Sequence, residues 1–226
     1  MKWRGKATEK LTFVAPDSHR NNLTFEENET VSTFAIFRPL ALAAASGALC
    51  SAAMAAPTTY ELDPNHTHPS FEADHMGGLS KWRGTLSASS GSVTLDQEAQ
   101  TGSVDVTIDM STIDFGHQGL NEHAKTPDIF DVAKYPTATY TGKLVDWKDG
   151  APTAVEGDLT MHGVTKPVKL EVNSFLCKLN MQKREVCGAD AIAQIQRDDF
   201  GVDFGKSFGF DMGVTLRIQV EGLKQE

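Results

Sequence analysis

The sequence lacks an apolar run long enough to cross a membrane: its best candidate, Leu40–Cys50, falls well short of the ~20 residues a spanning helix needs. A protein that does not span a membrane is therefore expected. Cysteine is scarce, with three residues in 226, too few to supply a thiolate zinc site. No P-loop and no dinucleotide fingerprint occurs, so nothing points to phosphate-cradling or nicotinamide chemistry. Internal repeats and low-complexity linkers are absent too. Positive charge is in deficit, with 21 Lys and Arg against 30 Asp and Glu.

The first 55 residues read as a leader. Arg38 precedes the apolar Leu40–Cys50, and Ala53-Met54-Ala55 supplies a small-residue cleavage pattern. Residues 31–55 are thus expected to be a cleaved signal peptide, with the mature domain over 56–226 and a periplasmic destination. The polar stretch 1–30 is odd ahead of an export signal, and a start at Val31 would explain it. Cys50 follows Leu49 rather than a small residue, which speaks against a lipid anchor there. Without the six basic and five acidic residues of 1–55, 15 bases remain against 25 acids, a net charge of −10. Such a surface repels phosphate backbones, which excludes nucleic acid as a partner, and it opposes docking on anionic headgroups. The mature part keeps Cys177 and Cys187. An even count in an exported chain predicts a disulfide between two strands joined across Asn180.

The dominant period along the mature chain is two, the signature of strands with one wet and one apolar face. Val104, Val106, Ile108 and Met110 alternate with polar residues, as do Leu159 and Met161, the trio Val168, Leu170 and Val172, and the set Val214, Leu216, Ile218 and Val220. Weaker strand candidates are 58–62, 68–76, 83–95, 137–147 and 186–197. Turns are expected at Gly91, Gly102, Gly142, Asp149-Gly150, Gly163 and Pro167. The segment 117–125 breaks the alternation and predicts a short helix ended by Thr126-Pro127-Asp128, with Ile129 and Phe130 anchoring it on a barrel mouth. Many strands at short spacing predict an all-β fold, a sandwich or an antiparallel barrel of about eight strands.

Inward-facing small residues decide whether such a barrel is full or hollow. Ala189, Ala191 and Ala193 share one face of their strand, and Phe71, Ala73 and His75 share one face of theirs. Alanines in a row leave space unless larger residues opposite fill it; composition leaves both outcomes open.

Four stretches carry a family resemblance. Asp158-Leu159-Thr160-Met161-His162-Gly163-Val164-Thr165-Lys166-Pro167-Val168 closely resembles the hallmark of the YceI-like family. Phe130–Tyr140, Val214–Gly222 and the opening Tyr60–Gly84, with His68, Phe71, His75-Met76-Gly77 and Arg83-Gly84, are similar to it as well. Pro69 departs from the serine usual after that histidine. The resemblance implies an extended, lipocalin-like barrel, periplasmic, whose tunnel binds a polyisoprenoid, a quinone or another long-chain lipid, with no catalytic mechanism and no resident cofactor. Storage, transport and sequestration all stay open, as does the oligomeric state, a homodimer among the options.

The expected ligand contacts are Phe71, Ala73, His75, Val106, Ile108, Tyr140, Leu159, Met161, Ala191, Ala193, Leu216 and Ile218, with Phe200, Phe204 and Phe208 near the mouth. Two rival readings stand beside this one. A non-catalytic envelope protein with a filled core would need no ligand. His66 and His68, two apart on an extended chain, would share a face and could hold a metal, though no third ligand is evident. Adjacent Asp198 and Asp199 point apart on an extended chain and make a poor catalytic pair.

Overall fold

The structure, a computed structural model, describes residues 56–226. The leader and signal segment expected over 1–55 lie outside the described residues. Eleven strands form one sheet: β1 (Thr58–Leu62), β2 (Ser70–His75), β3 (Ser80–Leu86), β4 (Ser89–Asp96), β5 (Thr101–Asp109), β6 (Ile113–Asp114), β7 (Thr137–Lys148), β8 (Ala151–Met161), β9 (Val164–Leu179), β10 (Glu185–Gln196) and β11 (Gly213–Lys224). Every pairing is antiparallel. The order β1-β4-β5-β7-β8-β9-β10-β11 returns to β1, which closes an eight-stranded barrel. Closure leaves no free edge in the ring, and alternation along each strand puts one set of side chains inside.

The barrel is not uniform along its length. Along one edge of β11, β1 pairs with Gly222–Lys224 and β2 pairs with Val214–Arg217. The turn at 63–69 separates them, and Asp63 N and His68 N donate to Glu221 O and Gln219 O across the gap. Beyond that break, β3 and β6 extend the sheet from β2 instead of closing the ring. Helix α1 (Gln118–Lys125) covers this end. Its Ala124 is fully buried with Leu86, Met110, Ile113 and Ala138, and Ile129 and Phe130 pack against the same cluster. His117 caps the helix, its Nδ1 accepting from Leu120 N at 3.1 Å.

The alternating segments all emerge as strands, and the structure corrects two expectations. The candidate 83–95 is two strands, β3 and β4, separated at Ser87-Ala88. Gly91, Gly102, Gly142 and Pro167 lie inside strands and not at turns. Gly91 has φ +133, and a Cβ there would sit 2.0 Å from Asp105 O, so the close approach of β5 requires glycine. Pro167 is tolerated because β9 pairs with β10 only from Glu171 onward, so no ladder bond to β10 is lost.

A register shift between Asp190 and Ala191 leaves Asn173 as an extra residue on β9, a bulge. Below it Val168, Leu170 and Val172 face inward; above it Phe175 and Cys177 do. The bulge thus reverses the parity of β9 and keeps its apolar residues on the inner face. Cys177 lies directly opposite Cys187, and the two form a disulfide.

Candidate functional site

The inner faces enclose a cavity of about 590 Å³. Each barrel strand contributes alternating apolar residues to its wall: Tyr60 and Leu62 from β1, Val93 and Leu95 from β4, Val104, Val106 and Ile108 from β5. Ala138, Tyr140 and Leu144 come from β7, Val155, Leu159 and Met161 from β8, and Val168, Leu170, Val172 and Phe175 from β9. Gly188, Ala189 and Ala191 of β10 and Val214, Leu216, Ile218 and Val220 of β11 complete the ring. Small residues on β10 leave room that the facing strands do not fill, so the barrel is hollow. A volume in this range suits a site that buries most of one small lipid or drug-sized molecule.

Of the expected contacts, Phe71, Ala73, His75, Val106, Ile108, Tyr140, Leu159, Met161, Ala191, Leu216 and Ile218 line this cavity, and so does Phe204 at its mouth. Ala193 and Phe200 do not: both are buried in the core cluster but are not among the residues that border the void. Phe208 does not line it either; it is 75% exposed in a loop turn at Lys206–Phe208. Period two cannot tell a residue that faces a void from one that faces a neighbour, which is why Ala193 was grouped with Ala191.

The mouth lies where α1 and the loops around it meet β2 and β3. Aromatic rings there touch edge to face in a chain. Phe71 meets Phe115 at 5.3 Å between centroids, Trp82 meets Phe115 at 6.3 Å and His117 at 6.4 Å, and His75 meets Trp82 at 5.7 Å and Phe210 at 5.6 Å. His123 packs on Phe204 at 4.9 Å. These rings were missed as site residues: Trp82 lies inside β3 but just ahead of the strand expected over 83–95, and Phe115 and Phe210 lie in loops, where alternation gives no signal.

Polar groups are few and mostly tied down. Tyr140 donates its hydroxyl to Val168 O at 2.8 Å, with Val155 O at 3.2 Å, and burial pushes its pKa up to about 12. Arg197, on the wall near the mouth, donates to Val202 O at 2.9 Å and Phe204 O at 2.7 Å. Burial pulls that guanidinium below its usual pKa, while Asp198, Asp203, Asp74 and Asp211 oppose the shift. Asp74 accepts from the amides of Gly77 (2.8 Å), Gly78 (2.7 Å) and Asp211 (3.0 Å). The Asp211 amide, more than the other two, holds its carboxyl below the usual range. Ser89 Oγ, on the wall, is buried with no hydrogen-bond partner among the described residues.

His66 and His68 are not on a strand. They occupy the turn between β1 and β2, where His66 Nδ1 sits 2.7 Å from Asp63 Oδ2 and His68 Nε2 sits 3.0 Å from Asn65 O. Among the described residues no group of three or more His, Cys, Asp or Glu is placed to hold a metal ion. His162 Nδ1 lies 3.1 Å from Phe200 O and its ring packs on Tyr135, a structural role. One pattern is absent from the sequence expectations: Gly205-Lys206-Ser207-Phe208-Gly209 has the spacing of a nucleophile elbow. An elbow needs a sharp turn from strand to helix. Ser207 instead lies exposed in the Lys206–Phe208 turn, and among the described residues no histidine hydrogen-bonds to it.

Comparison with known proteins agrees with this architecture. The family model described as the YceI-like domain matches residues 60–222. Protein YceI of Escherichia coli O157:H7 is 33% identical over 181 residues, covering 78% of this chain and 92% of the relative. The crystal structure of the Campylobacter jejuni YCEI protein is 25% identical with a TM-score of 0.56, covering 66% of this chain and 88% of that one. A polyisoprenoid binding domain from Saccharophagus degradans, implicated in plant cell wall breakdown, shares the fold at 16% identity and a TM-score of 0.54, covering 74% of this chain and 98% of that domain.

Proposed function

Because this chain belongs to the YceI-like family, we propose that it is an exported, periplasmic binding protein that holds the apolar chain of one polyisoprenoid or similar lipid along the barrel axis. The observation that carries this reading is the cavity itself, hollow and apolar through the barrel. The Saccharophagus degradans domain, named for polyisoprenoid binding, supports the choice of ligand class. The apolar Leu40–Cys50 ahead of Ala53-Met54-Ala55, together with the disulfide, supports export to an oxidising compartment.

The energetics are sufficient without any catalytic step. Each five-carbon isoprene unit gains on the order of 4 kcal/mol on leaving water, at ~0.8 kcal/mol per carbon. Micromolar binding needs about 8 kcal/mol net, and association and ordering cost several kcal/mol. A few buried units are enough. The contacts assigned to the chain are Phe71, Ala73, Val106, Ile108, Tyr140, Leu159, Met161, Ala191, Leu216 and Ile218, with His75 and Phe204 at the mouth.

The test is organic-solvent extraction of the protein purified without detergent, followed by mass spectrometry. A stoichiometric isoprenoid, quinone or fatty amide is expected. An empty extract from protein that also takes up no added geranylgeraniol would refute the carrier reading and leave a barrel of purely structural use.

A further inference from the structure

Seven large apolar side chains among the described residues are conspicuously exposed, and they fall into two groups. Leu176, Leu179 and Met181 belong to the β9–β10 turn region, at the end of the barrel away from α1. Met76, Leu79, Phe204 and Phe208 belong to two loops at the mouth. Met76 and Leu79 are 57% and 74% exposed on the β2–β3 turn, and Phe208 is 75% exposed on the 201–212 loop. These loops touch: a Cβ on Gly77 would lie 3.0 Å from Gly209 O. The Asp74 carboxylate accepts amides from both, Gly77 and Gly78 on one side and Asp211 on the other.

This mouth group is continuous with the cavity wall. Met76 follows His75, and Phe208 lies two residues before Phe210, both of which line the void and pack on each other at 5.6 Å. The loops carry charge of both signs, Lys81 and Lys206 with Asp198, Asp199 and Asp203 nearby in sequence, so no single-sign field accompanies the apolar patch.

We propose that Met76, Leu79 and Phe208 form a rim that seats the cavity mouth on the apolar surface of a phospholipid bilayer, so that ligand passes between membrane and barrel without crossing water. The inference rests on the lipid-carrier reading for its purpose, but its geometry stands on the rim alone. A water-insoluble ligand enters and leaves by the mouth, and exposed hydrocarbon at such an opening gains by entering the interface. The partner is the hydrocarbon layer and not its headgroup charge, since the protein is acidic overall and the loops are mixed in sign. Docking therefore survives high salt, where an electrostatic attraction would be screened away.

The experiment is flotation of the protein with phosphatidylcholine vesicles and with vesicles of phosphatidylethanolamine containing phosphatidylglycerol, at low and high salt. The protein is expected to float with phosphatidylcholine at both salt levels, and with the anionic vesicles at least as well in high salt as in low, because salt screens the repulsion of an acidic protein. Leu79→Glu with Phe208→Glu should reduce partitioning on the order of 100-fold, since each substitution takes an exposed apolar side chain out of the membrane contact and adds a charge. Its affinity for geranylgeraniol added in solution should be unchanged, because neither residue lines the cavity. Met181→Glu, at the far end, should float like the parent. Rim docking is overturned if the parent does not float, if floating is lost in high salt, if Met181→Glu and not the rim variant abolishes it, or if the rim instead joins two copies, seen as a dimer that the rim substitutions dissociate. Loss of lipid in the extract with intact flotation would sink the carrier reading and leave the rim standing.

Discussion

Ala191→Phe separates a hollow barrel from a filled one. Ala191 on β10 pairs with Ile218 of β11 and Val172 of β9, and all three side chains border the cavity. A phenyl ring there enters space already present, so the substitution needs no displacement of the wall. It removes room for about one isoprene unit, and at ~0.8 kcal/mol per carbon the ligand forfeits on the order of 4 kcal/mol, a rise in Kd of roughly 1000-fold. Filling a void usually leaves stability unchanged or raises it. Ala193→Phe is the control. Two residues on along the same strand, Ala193 is equally buried but does not border the cavity. Overpacking there should cost ~1–3 kcal/mol and lower the melting temperature by several degrees, with uptake retained in the folded fraction. The assay is geranylgeraniol retained after gel filtration, with thermal unfolding alongside. Parent-like uptake by Ala191→Phe would show that no ligand lies beside β10, and the reasoning would fail.

Replacing Cys177 and Cys187 together by serine should destabilise the protein by on the order of 3 kcal/mol, from the lost loop constraint, read as a lower midpoint in thermal unfolding. Tyr140→Phe removes the bond to Val168 O and should cost about 1 kcal/mol while leaving lipid uptake intact, because the ring stays on the wall; a large loss of uptake would show that the hydroxyl itself holds the ligand. Asp74 is held below the usual carboxylate range by the amides it accepts. Its anion therefore stabilises the mouth loops at neutral pH, and that contribution vanishes as pH falls below the ordinary carboxylate range and through the lowered folded-state value. Protection of the Gly77, Gly78 and Asp211 amides, as exchange relative to the intrinsic rate at each pH, should fall in acid, and Asp74→Asn should show low protection already at neutral pH with no such acid dependence.

The barrel was legible because its strands are amphipathic. Val104–Met110 and Val214–Val220 alternate without interruption, and both lie on β5 or β11 or at their ends with the apolar residues inside. Legibility failed where parity breaks. Asn173 is an ordinary polar residue in sequence, yet as a bulge it moves Phe175 onto the wall, and no local pattern announces that. Gly91, Gly102 and Gly142 read as turns because glycine usually punctuates strands, whereas here they permit neighbouring backbones and side chains to approach closely. The mouth was the least readable part. The stretch 197–212 presents four phenylalanines of equal chemistry, and only the tertiary fold sends Phe200 into the core, Phe204 and Phe210 to the cavity and Phe208 to solvent. Asp74, whose three amide partners come from two loops far apart in sequence, had no signature at all.

The central claim is that the space along the barrel axis belongs to a ligand. A crystal structure of the protein, purified without detergent and with its extract characterised in parallel, tests this most directly. Continuous elongated density between Ala191, Leu216 and Tyr140, reaching the mouth at His75, is the expected result. Inward rotation of wall side chains that fills the same space, with no such density, would contradict the account.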